Sequence, residues 1–251
     1  MFPELFKIGP VTVYSYGVMM ALGIIAAMLL ALYRGKRRGY DAEVITDISF
    51  YGIIGGVIGA KLLYFITEAQ SIIQKPSAIL EMLSGGFVVY GAILGGIIGA
   101  YIYCKVKKLD FLKHFDLLVP SLALAQGIGR IGCLLAGCCY GRETNSAIGI
   151  IFSRSLYAPK GIKIYPTQII SSLGDFLIAI ILLVFARTKR KDGQVAGLYM
   201  VLYSIGRFFI EFLRDDPRGK IGMLSTSQFI CIFILIGGII MLYKDRIRAK
   251  F

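Results

Sequence analysis

Seven stretches of this chain are each long and apolar enough to cross a bilayer, and that limits the fold more than any other feature of the sequence. A hydrocarbon core about 30 Å thick takes roughly 20 apolar residues per helix. The runs are Val11–Tyr33, Ile45–Ile66, Phe87–Cys104, Phe115–Cys139, Pro166–Ala186, Val195–Leu213 and Thr226–Tyr243. The expected fold is all-α: a polytopic membrane protein of about seven transmembrane helices, forming one integral membrane domain over residues 1–251. Composition agrees, with 57% hydrophobic residues against roughly 45–50% in a soluble domain. The mean hydropathy is +0.73.

Charge gives the orientation. Only 17% of residues are charged, yet the net charge is +13. Nucleic-acid binding is one meaning of such an excess, but clustered basic loops in an apolar chain read as membrane topology, and no nucleic-acid partner is expected. Basic clusters follow the first run (Arg34, Lys36, Arg37, Arg38), the third (Lys105, Lys107, Lys108, Lys113), the fifth (Arg187, Lys189, Arg190, Lys191) and the seventh (Lys244, Arg246, Arg248, Lys250). Seven passes put all four clusters, sixteen of the 28 basic residues, on one side. The positive-inside rule then expects the N-terminus outside and the C-terminus in the cytoplasm. Met1–Pro10 holds Glu4 and Lys7 and lacks a basic n-region, so the first run is expected to stay in the membrane uncleaved.

Five cysteines, Cys104, Cys133, Cys138, Cys139 and Cys231, sit in or beside apolar segments. Their odd number and lack of loop spacing argue against a disulfide framework. His114 is the only histidine, so a histidine-based zinc site is not expected, and neither a metal nor a cofactor is assigned. Gly52, Gly55, Gly56 and Gly59 line the second run, and Gly91, Gly95, Gly96 and Gly99 the third. Small residues four apart let helices pack closely in lipid; a glycine-lined substrate cleft is the other reading.

The chemistry is concentrated in two runs. In Gln126-Gly-Ile-Gly-Arg-Ile-Gly-Cys-Leu-Leu-Ala-Gly-Cys-Cys-Tyr-Gly141, Arg130 stands in an otherwise uncharged stretch. An arginine at membrane depth costs about 2.5–3.5 kcal/mol or more on insertion scales, so it needs a carboxylate, water or an anionic ligand. A structural ion pair and an anion site are the two readings. In the sixth run, Arg207 and Glu211 are four apart and Glu211 and Arg214 three apart. On a helix they share one face, where Glu211 can aim either guanidinium and leave donors for a phosphate. Two arginine sites near the outer leaflet point to a phospholipid head group. Lys61 is expected to snorkel, and Asp47 and Asp175 to cap or pair.

These segments resemble the bacterial prolipoprotein diacylglyceryl transferase family, through nearly the whole chain, from Tyr16-Gly17 to Ser225-Thr226-Ser227-Gln228. The most specific parts are Gly129-Arg130-Ile-Gly132 with Tyr140-Gly141-Arg142, and Gly206-Arg207-Phe208 with Glu211-Phe-Leu-Arg214; Tyr165-Pro-Thr-Gln168 is similar to the family's Pro-Ser-Gln element. The resemblance implies seven helices with an outside N-terminus. It also implies transfer of an sn-1,2-diacylglyceryl group from phosphatidylglycerol to a lipobox cysteine of a prolipoprotein, releasing glycerol 1-phosphate, in the cytoplasmic (inner) membrane of a bacterium. Arg130 and Arg207 would hold the phosphate and stabilise its growing charge. Glu211 and Arg214 would orient that pair, Tyr16 would contact the lipid head or the acceptor, Gly141 would admit one of them closely, and Arg142 would join the substrate-binding group.

Three positions depart from the family pattern. Its His-Gly-Gly element reads Tyr90-Gly91-Ala92, its Gly-Asn step reads Gly132-Cys133, and its acidic residue before the aromatic-Gly pair is Cys138. If that histidine is the thiol's base, the base is absent here; Tyr90 is kept as a catalytic candidate, with helix packing as its other reading. The Cys138-Cys139 pair, beside Arg130 and Arg142, is either inert packing or an enzyme thiolate that takes up the glyceryl group. Two rival functions remain: a paralogue that serves another acceptor, and a non-enzymatic lipid or anion transporter, a class also marked by Gly-interrupted helices.

Overall fold

The computed structural model describes residues 2–9, 11–74, 85–155, 157–188, 190–216 and 219–248. Of the basic residues that carry the orientation argument, Lys189 and Lys250 lie outside the described residues. The helices are α1 (Ser15–Arg37), α2 (Ala42–Thr67), α3 (Ala69–Gln74), α4 (Val89–Val106), α5 (Phe111–Ala136), α6 (Thr167–Phe185), α7 (Gln194–Ile210) and α8 (Thr226–Arg248). Seven of them are long and apolar enough to span a bilayer, so the chain is an all-α multi-pass membrane protein. Among the described residues, six short strands form three antiparallel two-stranded ribbons: β1 (Glu4–Ile8) with β2 (Val11–Tyr14), β3 (Ile150–Ile151) with β4 (Lys163–Ile164), and β5 (Lys220–Ile221) with β6 (Leu224–Ser225).

Two of the boundaries that differ from expectation bear on the site. Val11–Tyr14, read as the start of the first span, is the second strand of a hairpin, and α1 begins at Ser15, whose N–H and hydroxyl both donate to the Pro3 carbonyl at 3.0 and 3.2 Å. The fourth span, expected to reach Cys139, stops at Ala136. Gly137 there takes φ +75°, a left-handed conformation that ends helices and that glycine adopts without penalty.

The chain divides into two compact units. In the unit Leu32–His114, α2 packs on α4 through the two glycine stripes. A Cβ on Gly59 would strike the Gly91 carbonyl oxygen and lie 2.8 Å from Gly95 Cα, so the stripes are helix contacts rather than a cleft. Asp47 accepts from the Tyr103 hydroxyl at 2.8 Å. Lys61 donates to the carbonyls of Gly85 and Gly86 and lies over the Phe87 ring at 4.4 Å.

The other unit comprises Met1–Ala31 and Phe115–Phe251. Val119 and Ala123 of α5, Ile178, Ala179 and Leu182 of α6, and Val195 and Ala196 of α7 form its buried core. Asp116 caps α7, accepting from the Gly193 and Ala196 N–H groups at 2.8 Å each. A second, smaller core of Phe152, Ala158 and Ile164 holds the loop between α5 and α6. These two cores position the candidate site.

Candidate active site

Arg130 projects from α5, where the two glycines before it bring neighbours close: Gly129 faces Met20 of α1, and Gly127 faces the Phe176 ring of α6. Its guanidinium Nε lies 3.9 Å from Asp175 Oδ2 on α6, an ion pair too long for a hydrogen bond. Within its unit and among the described residues that is its one polar contact, and its side chain keeps 23% of its surface exposed. Arg207 is held more firmly. Its Nη1 pairs with Glu211 Oε2 at 2.5 Å and its Nη2 donates to Ser227 Oγ of α8 at 3.0 Å. Both arginines lie within electrostatic reach of Asp175 and of the Tyr203 hydroxyl. One buried carboxylate thus pairs with the guanidinium of one span and lies within electrostatic reach of that of another.

The segment after α5 is built from carbonyl contacts. Ser155 Oγ donates to Gly137 O at 3.2 Å, Gln168 Nε2 to Cys138 O at 2.7 Å, and Thr167 Oγ1 to Cys139 O at 2.8 Å. Three successive carbonyls are therefore fixed from outside, and Cys139 is held at φ +60°, a left-handed conformation uncommon for a side-chain-bearing residue. The result gathers the Sγ atoms of Cys133, Cys138 and Cys139 within 4.8 Å of one another. Hydrogen bonds from Cys133 and Cys138 push the Cys139 thiol down, with help from the Arg214 guanidinium; bonding to Cys133 and Cys139 pushes the Cys138 thiol up. Tyr16, in the first turn of α1, packs its ring 3.3 Å from where a Gly132 Cβ would stand, within electrostatic reach of all three thiols and Arg130.

Arg214 departs from expectation. The helix ends at Ile210, Glu211–Leu213 form one tight turn, and Arg214 is extended, so it does not share a helical face with Arg207 and Glu211. It is buried and held bidentately by Asp216, with Nε and Nη2 at 2.8 and 2.9 Å from the two carboxylate oxygens. Its backbone bridges Gly141, while Arg142 N–H donates to Leu213 O at 2.8 Å and Tyr165 N–H to Arg142 O at 2.9 Å. A Cβ on Gly141 would lie 2.5 Å from Tyr165 O and 2.9 Å from Leu213 O. The close approach at Gly141 is therefore made by the protein's own backbone. Arg142 Nε donates to Arg214 O at 3.3 Å, tying the strip together.

Comparison with known proteins gives the family. The family model for prolipoprotein diacylglyceryl transferase matches residues 3–244. The chain belongs to that family. A phosphatidylglycerol–prolipoprotein diacylglyceryl transferase of Clostridium tetani is 52% identical over 99% of both chains. A second, from Clostridium perfringens, is 51% identical over 95% of this chain and 93% of its own, and one from Listeria innocua is 32% identical over 99% and 91%.

All candidate residues, from Tyr16 to Arg214, fall inside the span matched by the transferase family. Tyr90 is half-buried in the first turn of α4 and belongs to the Leu32–His114 unit. The remaining candidates, Tyr16, Arg130, Cys133, Cys138, Cys139, Gly141, Arg142, Arg207, Glu211 and Arg214, belong to the other unit. Sequence reasoning ranked Asp175 as a structural group and did not tie it to both arginines; an acid inside an apolar run was the signal. Asp216, Thr167 and the Gln168 amide were missed as holders of the site, because their contacts depend on the chain's path outside helices.

Proposed function

We propose that this chain transfers an sn-1,2-diacylglyceryl group from phosphatidylglycerol to the lipobox cysteine of a prolipoprotein and releases glycerol 1-phosphate. It does so as one transferase domain in the cytoplasmic membrane of a bacterium, N-terminus outside. The observation that carries the reading is the pair of arginines from α5 and α7 gathered about Asp175, in a chain of this family. The acceptor sulfur attacks the terminal glyceryl carbon, the C–O bond to the phosphodiester breaks, and one further negative charge settles on the departing phosphate. Guanidinium donors set in apolar surroundings oppose that charge more strongly than water-exposed ones and need no reorganisation.

Arg130 supplies exchangeable donors, since its contact with Asp175 is long and partly open. Arg207, fixed by Glu211 and Ser227, supplies a static field. Arg142 and Arg214 keep the loop bearing Gly141 in place beside them, and Tyr16 faces the same region for the lipid head or the acceptor. Tyr90, in the Leu32–His114 unit, takes the position of the family's histidine in this reading. A family member acting on a different acceptor is favoured by one observation, tyrosine in place of the family's histidine at position 90.

The test is the full chain in phosphatidylglycerol nanodiscs with a lipobox peptide, following glycerol phosphate release and peptide mass. Lipid-modified peptide is expected, lost in Arg130→Ala. Glycerol phosphate without peptide modification would move the assignment to another acceptor. Lipid or ion flux without chemistry would move it to transport.

A further inference from the structure

We infer that Cys133, Cys138 and Cys139 form a three-thiolate site for a divalent zinc ion whose fourth position receives the acceptor's thiol; this rests on the transferase reading above. The sequence argued against zinc only by its lack of histidine, and thiolates alone are a sufficient ligand set. The three Sγ atoms lie within 4.8 Å of one another. Tetrahedral zinc with bonds of about 2.3 Å sets thiolates about 3.8 Å apart, so closing on the ion asks each pair to approach by about 1 Å at most. The backbone that aims them is already fixed, through carbonyl contacts to Ser155, Gln168 and Thr167 and the left-handed Cys139. Cys133 is buried while Cys138 and Cys139 are half-buried, which leaves an approach from one side.

Charge and chemistry agree with this assignment. Three thiolates and one zinc carry a net charge of −1, and the Arg214 guanidinium that Asp216 holds lies within electrostatic reach of Cys139. Three protein ligands with one open position is the pattern of reactive rather than structural zinc. A thiol that coordinates zinc is deprotonated outright. That supplies what this chain needs, a nucleophilic sulfur at neutral pH without the family's histidine at position 90. The cluster also stands within electrostatic reach of Arg130, beside the phosphate donors.

The step balances. The acceptor thiol gives its proton to water on binding. A lone pair on the bound sulfur then forms the C–S bond to the glyceryl carbon, and the C–O bond breaks with its electron pair leaving on glycerol phosphate. Zinc stays divalent, and the product thioether, a poorer donor than a thiolate, departs. A covalent detour through Cys138 or Cys139 is disfavoured by the same chemistry, because a second thiol would then have to expel a thioether-bound thiolate.

The experiment uses the full chain in nanodiscs, prepared without chelator, with metal content measured by mass spectrometry. About one zinc per chain is expected, lost in Cys138→Ser and retained in Cys104→Ser. Removal by chelator and return of zinc should abolish and restore turnover of wild-type protein, which keeps the test independent of whether the variants fold. With cobalt in place of zinc, the thiolate charge-transfer band should strengthen on adding the lipobox peptide and not its Cys→Ser analogue. Turnover that persists in metal-free protein would overturn the inference and leave the transferase reading intact. A band indifferent to the peptide would overturn the open fourth position. Zinc and peptide binding without glycerol phosphate release would sink the transferase reading instead.

Discussion

Replacing Asp175 by asparagine removes the carboxylate that pairs with Arg130 and lies within electrostatic reach of Arg207, while keeping its volume. At 3.9 Å the Arg130–Asp175 pair is worth about 4 kcal/mol at an effective dielectric near 20. Arg130 is 23% exposed, so solvent screening reduces the usable part to about 2 kcal/mol. In the lipid-free site that energy holds Arg130 in place; a bound phosphate has to compete for it. Asp175→Asn is therefore expected to lower thermal stability without phosphatidylglycerol and to lower the KM for that lipid about tenfold or more. It should also lower kcat, because the product phosphate is then held more tightly. Initial rates over a lipid titration in nanodiscs, paired with thermal unfolding in a neutral lipid, measure both sides. A KM that is unchanged or raised, with wild-type stability, would refute the idea that Asp175 and the substrate phosphate share the arginines.

Two further outcomes follow from close backbone approaches. Gly141→Ala places a Cβ 2.5 Å from the Tyr165 carbonyl oxygen, so the strip joining Arg142, Leu213 and Tyr165 must move; kcat should fall at least as much as KM rises, and hydrogen exchange should quicken at the Arg142 and Tyr165 amides. Gly59→Leu in α2 forces that helix off Gly91 and Gly95, and should cost about 2 kcal/mol or more of stability, read as a lower unfolding temperature with little change in KM for the surviving enzyme.

The spans were legible because bilayer thickness sets helix length, so an apolar run of the right size has few alternatives. The glycine stripes of α2 and α4 were legible for a related reason: spacing of four puts small residues on one face, and packing is what joins helices in lipid. Helix ends were not. Cys138, Cys139 and Tyr140 prolong an apolar run as readily as they end it, and Gly137, which stops α5, looked like the other glycines of that segment. Arg214 was misread because helical spacing was carried four residues past Ile210, although Asp216, two residues on, offered the local partner that an extended arginine takes. Asp175 was visible as an acid in an apolar run, but its two arginines come from helices distant in sequence.

The two arginines solve one problem differently, and the difference bears on how the site works. A guanidinium in lipid-like surroundings needs a counter-charge whether or not substrate is present, so each arginine here brings its own. For Arg207 the partner is four residues away on the same chain segment, at 2.5 Å, with Ser227 as a second contact. Opening that pair would strand a buried charge, at about 3–5 kcal/mol, more than a lipid phosphate returns by replacing one contact. For Arg130 the partner is on another helix, 3.9 Å away, and beyond hydrogen-bond range. A phosphate can therefore take direct hydrogen bonds from Arg130 that Asp175 does not hold, and Arg207 adds attraction without moving. Binding on this argument rotates the α5 guanidinium alone, and the charge released on the departing phosphate meets donors already in place.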